Sequence, residues 1–235
     1  MLELTLPARE IIRSTPRTRI IRIDLDGHAF PFVAGQAVFA GLASGSVRRP
    51  YSIACSPGQS QRDVMIELLV QIDDHDAPDP HLELVERGTA LRVQGPFGNF
   101  SLPSDDAMPL LFIAGGTGIA PLRSMLWDTL ERDSHPSLSV LYSARSPEEF
   151  AYAGELLALA GDGRLELLRT ITRDTTTDWD GTRGRLNSEL MGRMLKTPET
   201  RCVICGPAAL VADASAIAKG FGVSAEHILT ETYST

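Results

Sequence analysis

The run PLLFIAGGTGIAPLRSMLWDTLER, residues 109 to 132, constrains the fold more than any other stretch. An apolar strand pattern passes without a linker into three glycines in four positions, and these pass directly into a helical pattern. Gly115, Gly116 and Gly118 let a backbone approach a pyrophosphate at a helix N-terminus, where unpaired N–H groups favour anions. Pro121 suits a first helical turn. It also stands where the usual G-x-G-x-x-G fingerprint has its third glycine, so the motif is a variant, and a plain tight strand-to-helix turn is the competing reading.

The same alternation recurs to the end of the chain. LSVLYSAR leads into PEEFAYAGELLALA, LELLRTIT precedes RLNSELMGRML, and RCVICGP leads into AALVADASAIAKG. Strands alternating with helices predict right-handed βαβ units and an α/β doubly wound parallel sheet over residues 105–235. Residues 3 to 102 have another rhythm, with the short β-like runs ELTL, TRIIRIDL, QAVFAGL, PYSIAC, VMIELLVQI and TALRVQG between turn-rich pieces such as SPGQSQRD. They predict an antiparallel Greek-key β-barrel over residues 1–104. LPSDDAMP, 102 to 109, is the expected junction.

Composition narrows the classes. A length of 235 residues with 43% apolar residues permits two domains with cores. The net charge of -8 argues against a nucleic-acid binder. That charge is uneven: residues 1–50 hold seven arginines against four acids, so the segment is 7 - 4 = +3 and the remainder is -11. The arginine-rich segment suits an acidic partner. The first residues lack a signal-peptide pattern, and no run reaches the ~18 apolar residues of a membrane helix, so no membrane role is expected. Three cysteines make no disulfide framework, and the expected location is cytoplasmic.

Two stretches point to the ligand. RRPYSIACSPG, 48 to 58, crowds a cation, a flat ring and a hydroxyl (Arg49, Tyr51, Ser52) where a strand begins, a set suited to a flat, phosphate-bearing molecule. GPFGNF, 95 to 100, reads as a strand bent sharply. A barrel holding a flat cofactor beside a nicotinamide domain suggests flavin. The strand ending LYSAR has no acid to hold the ribose hydroxyls of NAD, whereas Arg145, Arg173, Arg183 and Arg185 follow strand ends and could converge on a 2'-phosphate, so NADPH is preferred over NADH. Scattered solvated arginines are the alternative.

As an ordered set, RPYS, GPFG, GGTGIAP, the CGP at 205–207 and the ETY at 231–233 make the chain resemble the ferredoxin-NADP reductase superfamily of flavoproteins, as a stand-alone reductase without an iron-sulfur domain. The resemblance implies that Arg49 binds flavin phosphate, Tyr51 packs on the isoalloxazine and Ser52 hydrogen-bonds near N5, with Pro50, Ile53 and Gly95 beside them. It implies that Thr117, Cys205, Gly206 and Pro207 lie near the nicotinamide, that Arg145 and Arg173 match positions used for the 2'-phosphate, that Glu231 has a proton or positioning role, and that Tyr233 covers the flavin. Ser52, Cys205 and Glu231 are thus the candidate catalytic residues. A frayed tail carrying Tyr233, Ser234 and Thr235 is the bland reading of that ending.

The implied activity passes hydride from NADPH to FAD and then single electrons to a carrier such as ferredoxin or flavodoxin, or to an oxygenase component. One departure opens an alternative. Where the family has a glycine and a hydroxyl to hold the FAD pyrophosphate, this chain has DDHDAPDPHLELVERG, with Asp76 and Asp79. Carboxylates repel a pyrophosphate, so FAD is expected to be weakly held, FMN is the other flavin to consider, and an NAD(P)H:flavin reductase using free flavin is the second hypothesis. A non-catalytic flavin-binding subunit is the third. Asp73, Asp74, His75, Asp76, Asp79 and His81 read as a solvated loop rather than a metal site. Cys202 and Cys205 would point to opposite faces of a strand, and Cys55, Met125 and Trp127 read as packing residues.

Overall fold

The computed structural model describes residues 2–72, 82–104, 107–132, 135–173 and 178–233. The aspartate-rich stretch 73–81, with the readings attached to it, and Ser234 and Thr235 lie outside the described residues. The chain divides into two compact units, Met1–Pro103 with Arg123–Asp133, and Ser104–Leu122 with Ser134–Thr235.

The first unit is an antiparallel sheet of six strands: β1 (Leu2–Thr15), β2 (Thr18–Asp24), β3 (Ala37–Leu42), β4 (Arg49–Ser52), β5 (Met65–Gln71) and β6 (Ala90–Phe97), in the order β4-β3-β6-β1-β2-β5. ELTL proves to be only the start of a strand of 14 residues. Its first part, Leu2 to Pro7, pairs with β6, and from Ala8 onward it pairs with β2. Register shifts at Ala8/Glu10 and Arg13/Thr15 bend it, as an unpaired extra residue does. The two edges then approach: Ile53 bridges Leu68, and the Ala54 N–H donates to the Glu67 carbonyl at 2.7 Å. The result is a nearly closed barrel around Leu6, Ile21, Ile23, Val38, Ile53, Ile66, Leu68, Leu91 and Val93.

In β5, Ile66, Leu68 and Val70 belong to this core, yet Met65, Glu67 and Leu69 on the opposite face are buried as well. Glu67 is covered by Arg123, which belongs to the same unit. SPGQSQRD, read above as a turn, forms helix α1 (Pro57–Asp63). Ser56 accepts from the Gln59 amide while the Gln59 side chain accepts from the Ser56 amide, and Pro57 opens the first turn, so local capping outweighs a polar, glycine-containing composition.

The second unit is a parallel sheet of six strands: β7 (Leu110–Gly115), β8 (Leu138–Ala144), β9 (Glu166–Ile171), β10 (Thr182–Arg183), β11 (Arg201–Pro207) and β12 (Ile228–Tyr233), in the order β10-β9-β8-β7-β11-β12. Helix α2 (Ile119–Leu130) follows β7, α3 (Ala153–Gly161) follows β8, α4 (Ser188–Met194) precedes β11, and α5 (Ala208–Gly220) follows it. β7 is buried along its whole length, as expected of a strand covered on both faces. The helix expected over PEEFAYAGELLALA is interrupted, because Pro147–Glu149 forms one 3-10 turn and Tyr152 adopts a left-handed φ of 59° before α3 begins. The strand order reverses between β7 and β11, and the crevice at the carboxyl ends of strands at such a switch point is where open α/β sheets bind ligands. Among the described residues, no helix is long and apolar enough to cross a membrane.

Candidate functional site

At the switch point, Gly115 ends β7, Gly116–Gly118 forms one 3-10 turn and α2 begins at Ile119. The glycines answer first to the protein's own packing. A Cβ on Gly118 would run into the Cys205 carbonyl, one on Gly115 would lie 2.9 Å from Pro207, and one on Gly206 would lie 3.2 Å from the Gly115 backbone. GGTG and CGP therefore meet backbone to backbone. Gly116 has a φ of +54°, a conformation that favours glycine. The Ile119 N–H is taken by the carbonyls of Gly116 and Thr117, so the amides at the start of the turn are the ones an anion would meet.

Two phenols hold the carbonyls of this turn. Tyr142, on β8, donates to the Gly116 carbonyl at 3.0 Å, and Tyr233, at the end of β12, donates to the Gly115 carbonyl. Burial pushes the Tyr233 hydroxyl above its ordinary pKa, and hydrogen bonds with Thr117 pull the other way. β12 pairs in register with β11, Cys205 opposite Glu231 and Pro207 opposite Tyr233, so ILTETY is a sheet strand. The Cys205 Sγ lies 3.9 Å from the Glu231 carboxylate as a weak donor. Burial raises the Cys205 pKa, the neighbouring carboxylate adds to this, and burial likewise raises that of Glu231. Burial thus favours the neutral thiol, and it shifts the adjacent carboxyl toward its protonated form. Cys202 is also buried and its thiol is pushed up to about 12 by burial. All three cysteines are free.

The arginines singled out in the sequence gather along one edge of this unit. The Arg173 N–H donates to the Arg145 carbonyl at 2.9 Å, Arg183 pairs with Ile171, and the Gly184 N–H donates to the Ile171 carbonyl, which places Arg185 one residue beyond. Arg173, Arg183 and Arg185 are exposed.

In the first unit, RPYS is the edge strand β4. Arg49 pairs with Ala40 and Tyr51 with Val38, so both share one face, while Pro50 and Ser52 share the other. Pro50 costs the sheet little at an edge. Tyr51 packs against the barrel core; burial raises its hydroxyl pKa and the Arg49 charge opposes that shift. Ser52 is half-buried at the strand's end and Ile53 is buried beneath it. Gly95 lets β6 approach β3, since a Cβ there would lie 2.9 Å from a Val38 methyl. The edge strand thus carries a cation and an aromatic ring on one face and a hydroxyl on the other.

Two residues beside this strand are not evident from its own sequence pattern. Glu67 and Arg123 form a buried ion pair at 3.2 Å. A single acid inside VMIELLVQI and a single arginine inside IAPLRSML were the available signals, because a charge in an apolar run is buried only with a partner.

A family described as "Oxidoreductase NAD-binding domain" matches residues 112–216, which puts the second unit in the class of nicotinamide-nucleotide-binding oxidoreductase domains. Ferredoxin--NADP reductase B of Sorangium cellulosum is 37% identical over 219 residues, covering 88% of each chain. With that likeness over both units, the chain belongs to the ferredoxin-NADP reductase family of flavoproteins. Several other curated relatives are longer, and the chain spans 48% to 66% of their length. Among solved structures, the Amycolatopsis cytochrome P450 reductase GcoB superposes with a TM-score of 0.86 at 23% identity, over 100% of this chain and 71% of that one. A ferredoxin NADP+ reductase from Neisseria gonorrhoeae, with bound FAD and NADP, superposes with a TM-score of 0.81 at 23% identity, over 98% of each.

Proposed function

We propose that this NAD(P)H-dependent flavoprotein reductase binds FAD at β4 and NADPH at the β7/β11 strand ends, and delivers single electrons to a small acidic carrier, ferredoxin or flavodoxin, or to an oxygenase component. The observation that carries the reading is the meeting of Gly115–Gly118, Cys205, Glu231 and Tyr233 at one switch point. A bound flavin supplies a hydride acceptor that can release electrons singly.

The chain's own residues divide the remaining tasks. Arg49 offers a phosphate partner, Tyr51 a flat face, and Ser52 a hydroxyl for the flavin N5 edge, with Pro50, Ile53 and Gly95 shaping the strand. Thr117, Gly206 and Pro207 line the nicotinamide position. Cys205 and Glu231, 3.9 Å apart, stand beside the nicotinamide position, where Glu231 takes a proton or positioning role. Tyr233, bonded to the Gly115 carbonyl, occupies the head of the glycine turn, and its displacement is a conformational step before transfer. Arg145 and Arg173, with Arg183 and Arg185 nearby, serve the 2'-phosphate and favour NADPH. The arginine-rich residues 1–50 speed the approach of acidic carriers. Three buried, unpaired cysteines suit the reducing cytoplasm.

Asp76 and Asp79 favour a second reading, in which flavin is a diffusing substrate. The visible spectrum of freshly desalted protein decides. A yellow protein carrying near-stoichiometric FAD supports the first reading, and a colourless protein that oxidises NADPH only with added flavin supports the second. A protein that does neither defeats both.

A further inference from the structure

The segment behind Ser52 is gripped residue by residue. The Ile53 N–H donates to the Gln36 carbonyl at 2.9 Å, and the Ala54 N–H to the Glu67 carbonyl at 2.7 Å. The Ala54 carbonyl accepts from Arg123 Nη1 at 2.7 Å, the Cys55 carbonyl accepts from Ser124 Oγ at 2.6 Å, and the Ser56 hydroxyl donates to Glu131 at 2.8 Å. Arg123 Nη1 also reaches the Glu67 carboxylate, which in turn accepts from Arg22 Nε at 2.8 Å. A closed ring results: Ala54 to the Glu67 backbone, the Glu67 carboxylate to Arg123, and Arg123 back to Ala54.

Arg123 and Glu67 side chains are only 7% and 1% exposed. An apolar pair of similar volume often packs as well or better, without the desolvation penalty that two buried charges carry. What the ion pair adds is direction, because a guanidinium presents several donors in a fixed planar fork and can hold a backbone carbonyl and a carboxylate together. Ser52 stands two residues before the carbonyl so held.

We propose that Arg123 and Glu67 are positioning residues for the Ser52 hydroxyl, fixing the end of β4 against β5. The proposal rests on the reading that Ser52 faces bound flavin. In the flavin-free protein, Arg123→Gln should speed amide hydrogen exchange over residues 53–56. With flavin and saturating NADPH it should slow flavin reduction about tenfold, as loosening of a catalytic group does, and leave the KM for NADPH within about twofold. Arg123→Lys, which keeps the charge and loses the fork, should recover part of both effects.

If Arg123→Gln does not fold, Arg123→Lys and Ser124→Ala carry the same measurements. Unchanged exchange over 53–56, with a wild-type reduction rate and flavin absorption band and only a lower Tm, would overturn the proposal and leave the pair a stability role. A wild-type chain that neither binds nor reduces flavin defeats the flavin reading and this proposal together, and is told apart because it requires no variant.

Discussion

The two candidate half-sites are built by opposite means. In the nucleotide-binding unit, the ends of β7, β11 and β12 meet through backbone: Gly118 leaves no room for a side chain, glycines at 115 and 206 let the strand ends approach closely, and phenols of Tyr142 and Tyr233 tie the turn's carbonyls. In the barrel, β4 is an edge strand whose continuation is fixed by side chains far away in sequence, Glu67, Arg123, Ser124 and Glu131. Backbone packing gives a site that either forms or fails. Side-chain bonding gives one that can be loosened by degrees.

The sharpest break in this comparison should come from Gly118→Ala. Its Cβ would press on the Cys205 backbone, which cannot swing aside, and overpacking of this kind costs about 3 kcal/mol. Thermal melting should show a fall on the order of 10 °C; an unchanged Tm would mean that the two strand ends have room to part. Ser52→Ala should do the reverse, leaving Tm near wild type while flavin reduction in stopped flow falls by roughly 100-fold, the scale for losing one positioned donor. An unchanged rate removes Ser52 from the chemistry.

Arg173→Ala separates nucleotide specificity from either architecture. It should raise the KM for NADPH about tenfold, the size of one lost charge-assisted contact, and leave that for NADH nearly unchanged. Equal changes for both nucleotides would undo the 2'-phosphate assignment. The smallest effect belongs to Glu231. Its carboxyl pKa is raised from the ordinary 4.5 by burial, against a weak bond from Cys205, so the folded state holds the proton longer than the unfolded chain. Stability from this group is therefore complete below about 4.5 and is lost as pH rises through the folded value. Urea melts from pH 4 to 7 should show that loss in wild type and a flatter profile in Glu231→Gln; identical profiles would mean that the carboxyl is well solvated.

The backbone-built half was legible because its demands are local. Three glycines, a strand before them and a helix after them lie within one short stretch, and the CGP that packs against them announces its own close approach. The six barrel strands were legible from their apolar runs, though not the length of β1, since its bulges appear only once two partners are known. Helix α1 was hidden by a composition typical of turns, with Ser56 and Gln59 as its one local signal. The Glu67–Arg123 pair was hidden more deeply, because nothing within either segment names a partner more than fifty residues away. β12 could be read as a tail for a similar reason: its place beside β11 comes from sheet pairing, not from its own pattern.

The most direct test of the central claim is anaerobic stopped-flow mixing of the flavin-loaded protein with NADPH and, separately, NADH, followed at the flavin absorption band. Rapid bleaching that saturates with NADPH at lower concentration than with NADH is the expected result. A flavin that stays oxidised with both nucleotides would contradict the assignment of β4 and the β7/β11 turn to the two halves of one reaction.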